Sequence, residues 1–181
     1  MARKWREAAE QQMRSVEFYT QAARACKEGK EDESKNWNFA GNAFYYAAEN
    51  LEKAIEAEIE GKPLVALKWR EVADQQASSV EYFTKAARAD ALGKKDGVIS
   101  WNGAGNGFYN AALKLGKAIE AEVAGKSAVA QKYREAAKQY KRSVEYYVQA
   151  AKAYEAGKEE EGYRCHNAGL DLCKAAENLA S

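Results

Sequence analysis

The chain has 181 residues, 46% of them hydrophobic, and a single proline, which is enough to bury a core in one domain and leaves room for little besides helix. Lys and Arg number 28 against 27 Asp and Glu, and a net charge of +1 supplies no field to draw in nucleic acid or an anionic membrane surface. No run approaches the roughly 20 consecutive apolar residues of a membrane span, the opening segment lacks the apolar centre of a signal peptide, and Cys26, Cys165 and Cys173 are an odd set suited to reduced thiols, so a soluble, cytoplasmic chain is expected.

Self-similarity organises everything else. Gly-Lys recurs at Gly29, Gly61, Gly93, Gly125 and Gly157, each step being 32 residues. An aromatic keeps the same step at Trp5, Trp37, Trp69, Trp101 and Tyr133, with Cys165 in its place in the last unit. Odd units resemble odd units more than even ones, so the duplicated element is 64 residues, with repeats over 2–65, 66–129 and 130–181 of a single helical domain.

In chain order, the first unit places Trp5, Ala8, Ala9, Gln12, Ser15, Val16, Tyr19, Ala22, Ala23 and Cys26 on an i, i+3, i+4, i+7 stripe, which predicts one amphipathic helix over 3–28. At ~1.5 Å per residue it is about 40 Å long. The second unit repeats the pattern from Trp37 through Phe44 to Ile55, predicting a helix over 32–60. The remaining units predict helices over 64–92, 96–124, 128–156 and 160–180. Each Gly-Lys glycine is the expected stop, and Asp32 or Ser34, Asp96 or Ser100, and Ser127 are the expected caps, with Pro63 in a first turn. Gly41, Gly105 and Gly169 share one place in the even helices, where the missing side chain lets a neighbouring helix come close. Gln12 and Gln76 are expected to pair with Asn42 or Asn106 across a helix contact.

Short turns force antiparallel neighbours, so the fold expected is all-α: six long helices in three tandem antiparallel hairpins, either stacked as a right-handed α-solenoid or closed into a six-helix bundle. The segment Trp37-Asn38-Phe39-Ala40-Gly41-Asn42-Ala43-Phe44-Tyr45 resembles the first helix of a tetratricopeptide repeat, with its Trp-x-x-Leu-Gly-x-x-Tyr spacing, and Ser15-Val16-Glu17-Phe18-Tyr19 is similar to that family's second helix. The period here is 32 rather than about 34, and the turn that the family places inside this span is absent. The resemblance implies a helical-hairpin stack and a role in binding proteins or peptides.

Chemistry-bearing motifs are sparse. Gly103-Ala104-Gly105-Asn106-Gly107 has no strand before it, as a phosphate loop requires, and Gly125-Lys126-Ser127 has Glu120 where a P-loop needs glycine. His166, Cys165 and Cys173 lack both a shared helical face and a fourth ligand, so no metal and no cofactor are expected. Glu7, Glu71 and Glu135 recur with the repeat and read as surface charges partnering Arg6, Arg70 and Arg134 rather than as a catalytic pair. No catalytic residue is assigned.

The aromatic residues carry the functional expectation. Phe18, Tyr82 and Tyr146 fall at the edge of the core stripe in successive odd helices, and Tyr45 and Tyr109 occupy matching places in even ones. A ladder of such rings suits a protein or peptide partner, because rigid aromatics offer large contact area at low entropic cost. The same rings could instead pack between hairpins. A non-enzymatic scaffold binding a peptide or helix is the leading expectation. Self-association as a structural repeat protein, and a small-molecule site lined by Trp37, Trp101, Phe44 and Phe108, are the alternatives.

Overall fold

The computed structural model describes residues 2–180; Ser181, which closes the third repeat, lies outside them. The chain is all helical, with α1 (Ala2–Lys27), α2 (Glu31–Ile59), α3 (Pro63–Ala91), α4 (Lys95–Val123), α5 (Ser127–Glu155) and α6 (Glu159–Leu179). Each helix lies one residue earlier than the spacing predicts, because the glycine stands two residues past the last helical one. At the first turn, Gly29 has φ +75°, the Lys30 N–H donates to the Ala25 carbonyl at 2.9 Å, and the Gly29 N–H donates to Cys26 at 3.0 Å. This is a Schellman closure, which satisfies carbonyls that would otherwise be orphaned at the helix end.

The same 6→1 bond returns at Lys62, Lys94, Lys126 and Lys158. Those lysines are also the N-caps of the following helices, and none makes a side-chain cap bond. The predicted caps are therefore corrected. Asp32, Ser34, Asp96, Ser100 and Ser127 all lie within helices, since the lysine that ends one closure begins the next helix and leaves no separate cap residue. Ser34 instead donates to the Ala22 carbonyl at 2.8 Å, tying α2 back to α1. Pro63 does open α3. Acidic first turns in α2, α4 and α6 lie beside basic last turns in α1, α3 and α5, each sign matching its helix dipole.

Each helix packs mainly on the helices before and after it, and no extensive contact joins α1 to α6, so the array is open. Odd helices form one layer and even helices the other. Lateral ties run within each layer: Glu7 meets Arg70 at 3.7 Å between α1 and α3, and Asn102 Nδ2 donates to Asn36 Oδ1 at 2.6 Å between α4 and α2. Ser100 and His166 repeat that second tie one hairpin later, at 3.2 Å.

Close approach within a hairpin depends on glycine. A Cβ built on Gly41 would stand 2.7 Å from the Tyr19 ring, and one on Gly105 would stand 2.7 Å from Phe83. The expected small-residue seats are thus filled by aromatic rings of the preceding helix.

Two expectations about the stripe change. In α1, Ala8, Ser15 and Ala22 are buried, whereas Trp5, Ala9, Gln12, Val16, Ala23 and Cys26 are exposed. Their counterparts in α3 lie against α2, and no helix among the described residues stands in that place against α1. Nor do the glutamines pair with asparagine. Gln12 donates to Glu52 at 3.0 Å, Asn42 accepts from the Tyr19 hydroxyl at 2.8 Å, and the buried Gln76 amide has no hydrogen-bond partner among the described residues.

Candidate interaction face

The expected aromatic ladder resolves into three sets, one per hairpin. Phe18 packs on Trp37 and Phe44 of α2, with ring centroids at 5.8 and 5.5 Å. Tyr82 stacks on Trp101 and Phe108 of α4 at 6.1 and 5.6 Å, and Lys85 Nζ lies 4.8 Å from the Trp101 ring centre. In the third hairpin the corresponding positions are Cys165 and Leu172, and Tyr146 is left 36% exposed. Phe18 and Tyr82 are therefore half-buried packing residues, and Tyr146 is the ring of the set that faces outward. Trp37 and Phe44 thus pack on Phe18, and Trp101 and Phe108 on Tyr82.

Tyr45 and Tyr109 lie in the even layer. Tyr45 is exposed and meets Tyr46 at 5.5 Å; Tyr46 in turn meets Tyr109 edge-on at 5.8 Å. Burial, then the neighbouring Tyr46, pushes the Tyr109 phenol well above its ordinary range. Glu49 and then desolvation raise the Tyr45 phenol.

A separate opening sits elsewhere on that layer. A cleft of about 510 Å³ lies between α2, α4 and α6, with Asn36 and Phe39 on one wall, Ile99 and Asn102 on the other, and Tyr147 and His166 at its end. One exchange between repeats falls on its lining. Position 103 is glycine where the preceding even helix has Phe39, whose ring covers Phe83 at 5.4 Å. Gly103 carries no side chain there, and the Tyr147 ring lies directly against it, 2.7 Å from where a Cβ would stand. Phe39 and Ile99 stand beside the opening, 40% and 60% exposed. Asp32 and Asp90 alternate with Lys35 and Lys95 around the rim, so the mouth carries both signs.

Within the cleft, the edge of Tyr147 meets the His166 ring at 5.2 Å, and burial lowers the His166 pKa, favouring the neutral imidazole. Burial, with Cys173 next to it, raises the Tyr147 phenol. The thiols and the imidazole go to different neighbours: Cys165 Sγ to Gln149 at 4.0 Å, Cys173 Sγ to Ser143 at 3.4 Å, and His166 to Ser100. Arg70 and Arg134 pair with Glu58 and Glu122 of the preceding even helices, at 3.2 and 2.5 Å. No helix among the described residues is long and apolar enough to cross a membrane.

Sequence reasoning alone did not find Asn36, Phe39, Ile99 and Asn102 as a set. The available signal was the exchange of Phe39 for Gly103 at one repeat position, which reads as helix packing until Tyr147 is placed beneath it. No known protein family matches the chain, and no curated protein is similar to it.

Proposed function

We propose that the chain is a non-enzymatic interaction scaffold, built from tetratricopeptide-like helical hairpins, that holds a peptide segment of a partner protein across the even-helix layer. The observation that carries this reading is the cleft beside Gly103. It is an opening with exposed apolar shoulders, Phe39 and Ile99, and with the exposed Asn106 amide, a donor and acceptor for a peptide backbone, on its lining. A segment lying there would place one apolar side chain over Tyr147 and its backbone beside Asn106. The mixed rim charges favour a peptide of low net charge. Tyr146, Tyr45 and Tyr109 extend the available aromatic surface, while Phe18 and Tyr82 support the scaffold from within.

Panning a displayed random-peptide library on the purified chain tests the proposal. Selected peptides are expected to share one apolar anchor residue, and Ile99→Glu and Phe39→Ser should each weaken them about tenfold or more, a loss of ~1.4 kcal/mol. Ile99 is 60% exposed, so the fold should survive Ile99→Glu; Phe39 also covers Phe83, so the helicity of Phe39→Ser is checked by circular dichroism alongside its binding. Peptides that bind these variants as tightly as the parent would place binding elsewhere and end this reading.

A further inference from the structure

The uncovered face of α1 has a counterpart at the far end of the molecule. On α3, the heptad stripe Trp69, Ala73, Gln76, Val80, Phe83 and Ala87 is buried throughout; Ala73, Val80 and Phe83 pack on α2, and Trp69 and Phe83 also meet α4. On α5, Ala137, Tyr140, Val144, Tyr147 and Ala151 are buried in the same way beneath α4. On α1, the same positions are Trp5, Ala9, Gln12, Val16, Tyr19 and Ala23; Tyr19 is half-buried against Gly41 and the other five are exposed, Val16 by 61%. The chain thus retains at α1 a stripe that its own helices leave bare.

The surface that covers such a stripe is equally well defined. On α2 it comprises Ala40, Ala43, Ala47 and Leu51, and on α4 Ala104, Gly107, Ala111 and Leu115. On α6 those positions are Ala168, Asp171, Ala175 and Leu179, and the last three are exposed. Three of the four therefore keep the small or leucine side chain of the covered interface. Both halves of one internal interface lie open, one at each end of the array.

We infer that the chain associates with further copies of itself head to tail, the α1 stripe of one copy packing on the outward face of α6 of the next, as α3 packs on α2 and α5 on α4. This is independent of the peptide cleft, which opens on the even layer. Because the two surfaces differ, the contact is heterologous: each added copy presents the next free end, and growth has no built-in stop at a dimer.

Asp171 sets the strength of the contact. Its counterpart Gly107 marks a close approach of α4 and α5, where a Cβ would stand 2.7 Å from Val144 and 3.1 Å from both the Ser143 hydroxyl and the Tyr140 carbonyl. Val16, Ser15 and Gln12 occupy those places on α1. A carboxylate at position 171, held at 3.7 Å by Lys174 on its own helix, must be accommodated in that gap, so the contact is weak in the parent chain.

Sedimentation of the full chain over a wide concentration range decides the matter. The weight-average mass is expected to rise past that of a dimer, and Asp171→Ala, restoring the residue of Ala43, should shift association to about tenfold lower concentration. Val16→Glu and Ala175→Arg should each leave a monomer with unchanged helicity, since both side chains are exposed. A mixture of these two variants should form a one-to-one dimer that grows no further, the intact α1 of one joining the intact α6 of the other. Concentration-independent monomers for both the parent and Asp171→Ala would overturn the inference. So would association that survives Ala175→Arg, which would mean that α1 pairs with α1.

Discussion

The ring of Phe83 lies over Gly105 so closely that a Cβ at that position would stand 2.7 Å from its Cδ1 and Cε1 atoms. Phe83 is buried on every side and cannot move aside, so Gly105→Ala forces two packed helices apart. Overpacking costs ~1–3 kcal/mol, and the gain in helix propensity over glycine offsets about 1 kcal/mol of it. A net loss of up to ~2 kcal/mol in urea unfolding is expected. Gly41→Ala meets Tyr19 at the same distance, but that ring is half-exposed at the end of the array and can swing away. It should cost less. Gly169→Ala, 3.1 Å from Tyr147, should also cost less than Gly105→Ala. Equal losses at Gly105 and Gly41 would show that ring burial does not set the penalty.

The three edge aromatics should separate in the same assay. Tyr82 stacks on two rings, and Tyr82→Ser removes a half-buried aromatic from between α3, α4 and α5, at an expected cost of about 2–3 kcal/mol. Tyr146→Ser, at the corresponding position in α5, removes a ring with neither a tryptophan nor a phenylalanine partner, and should change stability by no more than ~0.5 kcal/mol. Comparable losses at both sites would contradict the division of these residues into packing and surface roles.

The six helices and their turns were legible because glycine and aromatic positions repeat in step, and no long-range fact is needed to read them. The lysine caps were hidden, because a Schellman closure uses the lysine backbone and its side chain carries no signal. The bare α1 stripe was hidden for a different reason. Hydrophobic periodicity marks Trp5, Ala9 and Val16 as core whether or not a covering helix exists, and only the open packing of the array shows that none stands there. The cleft was the least legible feature. Its lining joins Gly103, where the preceding even helix has Phe39, to a Tyr147 ring that reaches the same spot from another helix.

His166 should give the chain a weak acid sensitivity of its own. Burial lowers its folded-state pKa from the ordinary 6.5, so the unfolded chain binds the proton more readily and stability rises with pH through that window. As pH falls through about 6.5, the unfolding free energy should decline, levelling off once the folded form is also protonated. Asparagine stands at the corresponding position in α4, as Asn102, so His166→Asn keeps a polar side chain near Ser100 and removes the titration. The variant should lose the decline between neutral pH and about 5. Glu58 and Glu122 act in a separate window. Hydrogen bonds from Lys4 and Lys68, respectively, hold their carboxyls below the ordinary value, and that stabilisation fades only as pH falls below the usual carboxylate range. An identical profile for parent and variant above pH 5 would remove His166 as the cause.

Gln76 makes the opposite kind of prediction, a substitution that stabilises. Its side chain is fully buried between α2, α3 and α4, and neither its amide nitrogen nor its carbonyl oxygen has a hydrogen-bond partner among the described residues. An unmatched buried amide costs ~1–3 kcal/mol in desolvation, and leucine fills nearly the same volume without that cost. Gln76→Leu is therefore expected to raise the unfolding midpoint, at about 2–4 °C for each kcal/mol recovered in a chain of this size. The corresponding residue in α5 is Tyr140, buried against Ala111 and Ala136, so the site type tolerates a large and mostly apolar side chain. In α1 the same position is Gln12, which lies at the surface and bonds Glu52. Gln12→Leu should therefore leave unfolding nearly unchanged while enlarging the bare apolar stripe. A stabilising effect at Gln12 equal to that at Gln76 would mean that helix propensity, and not the unpaired buried amide, is the cause.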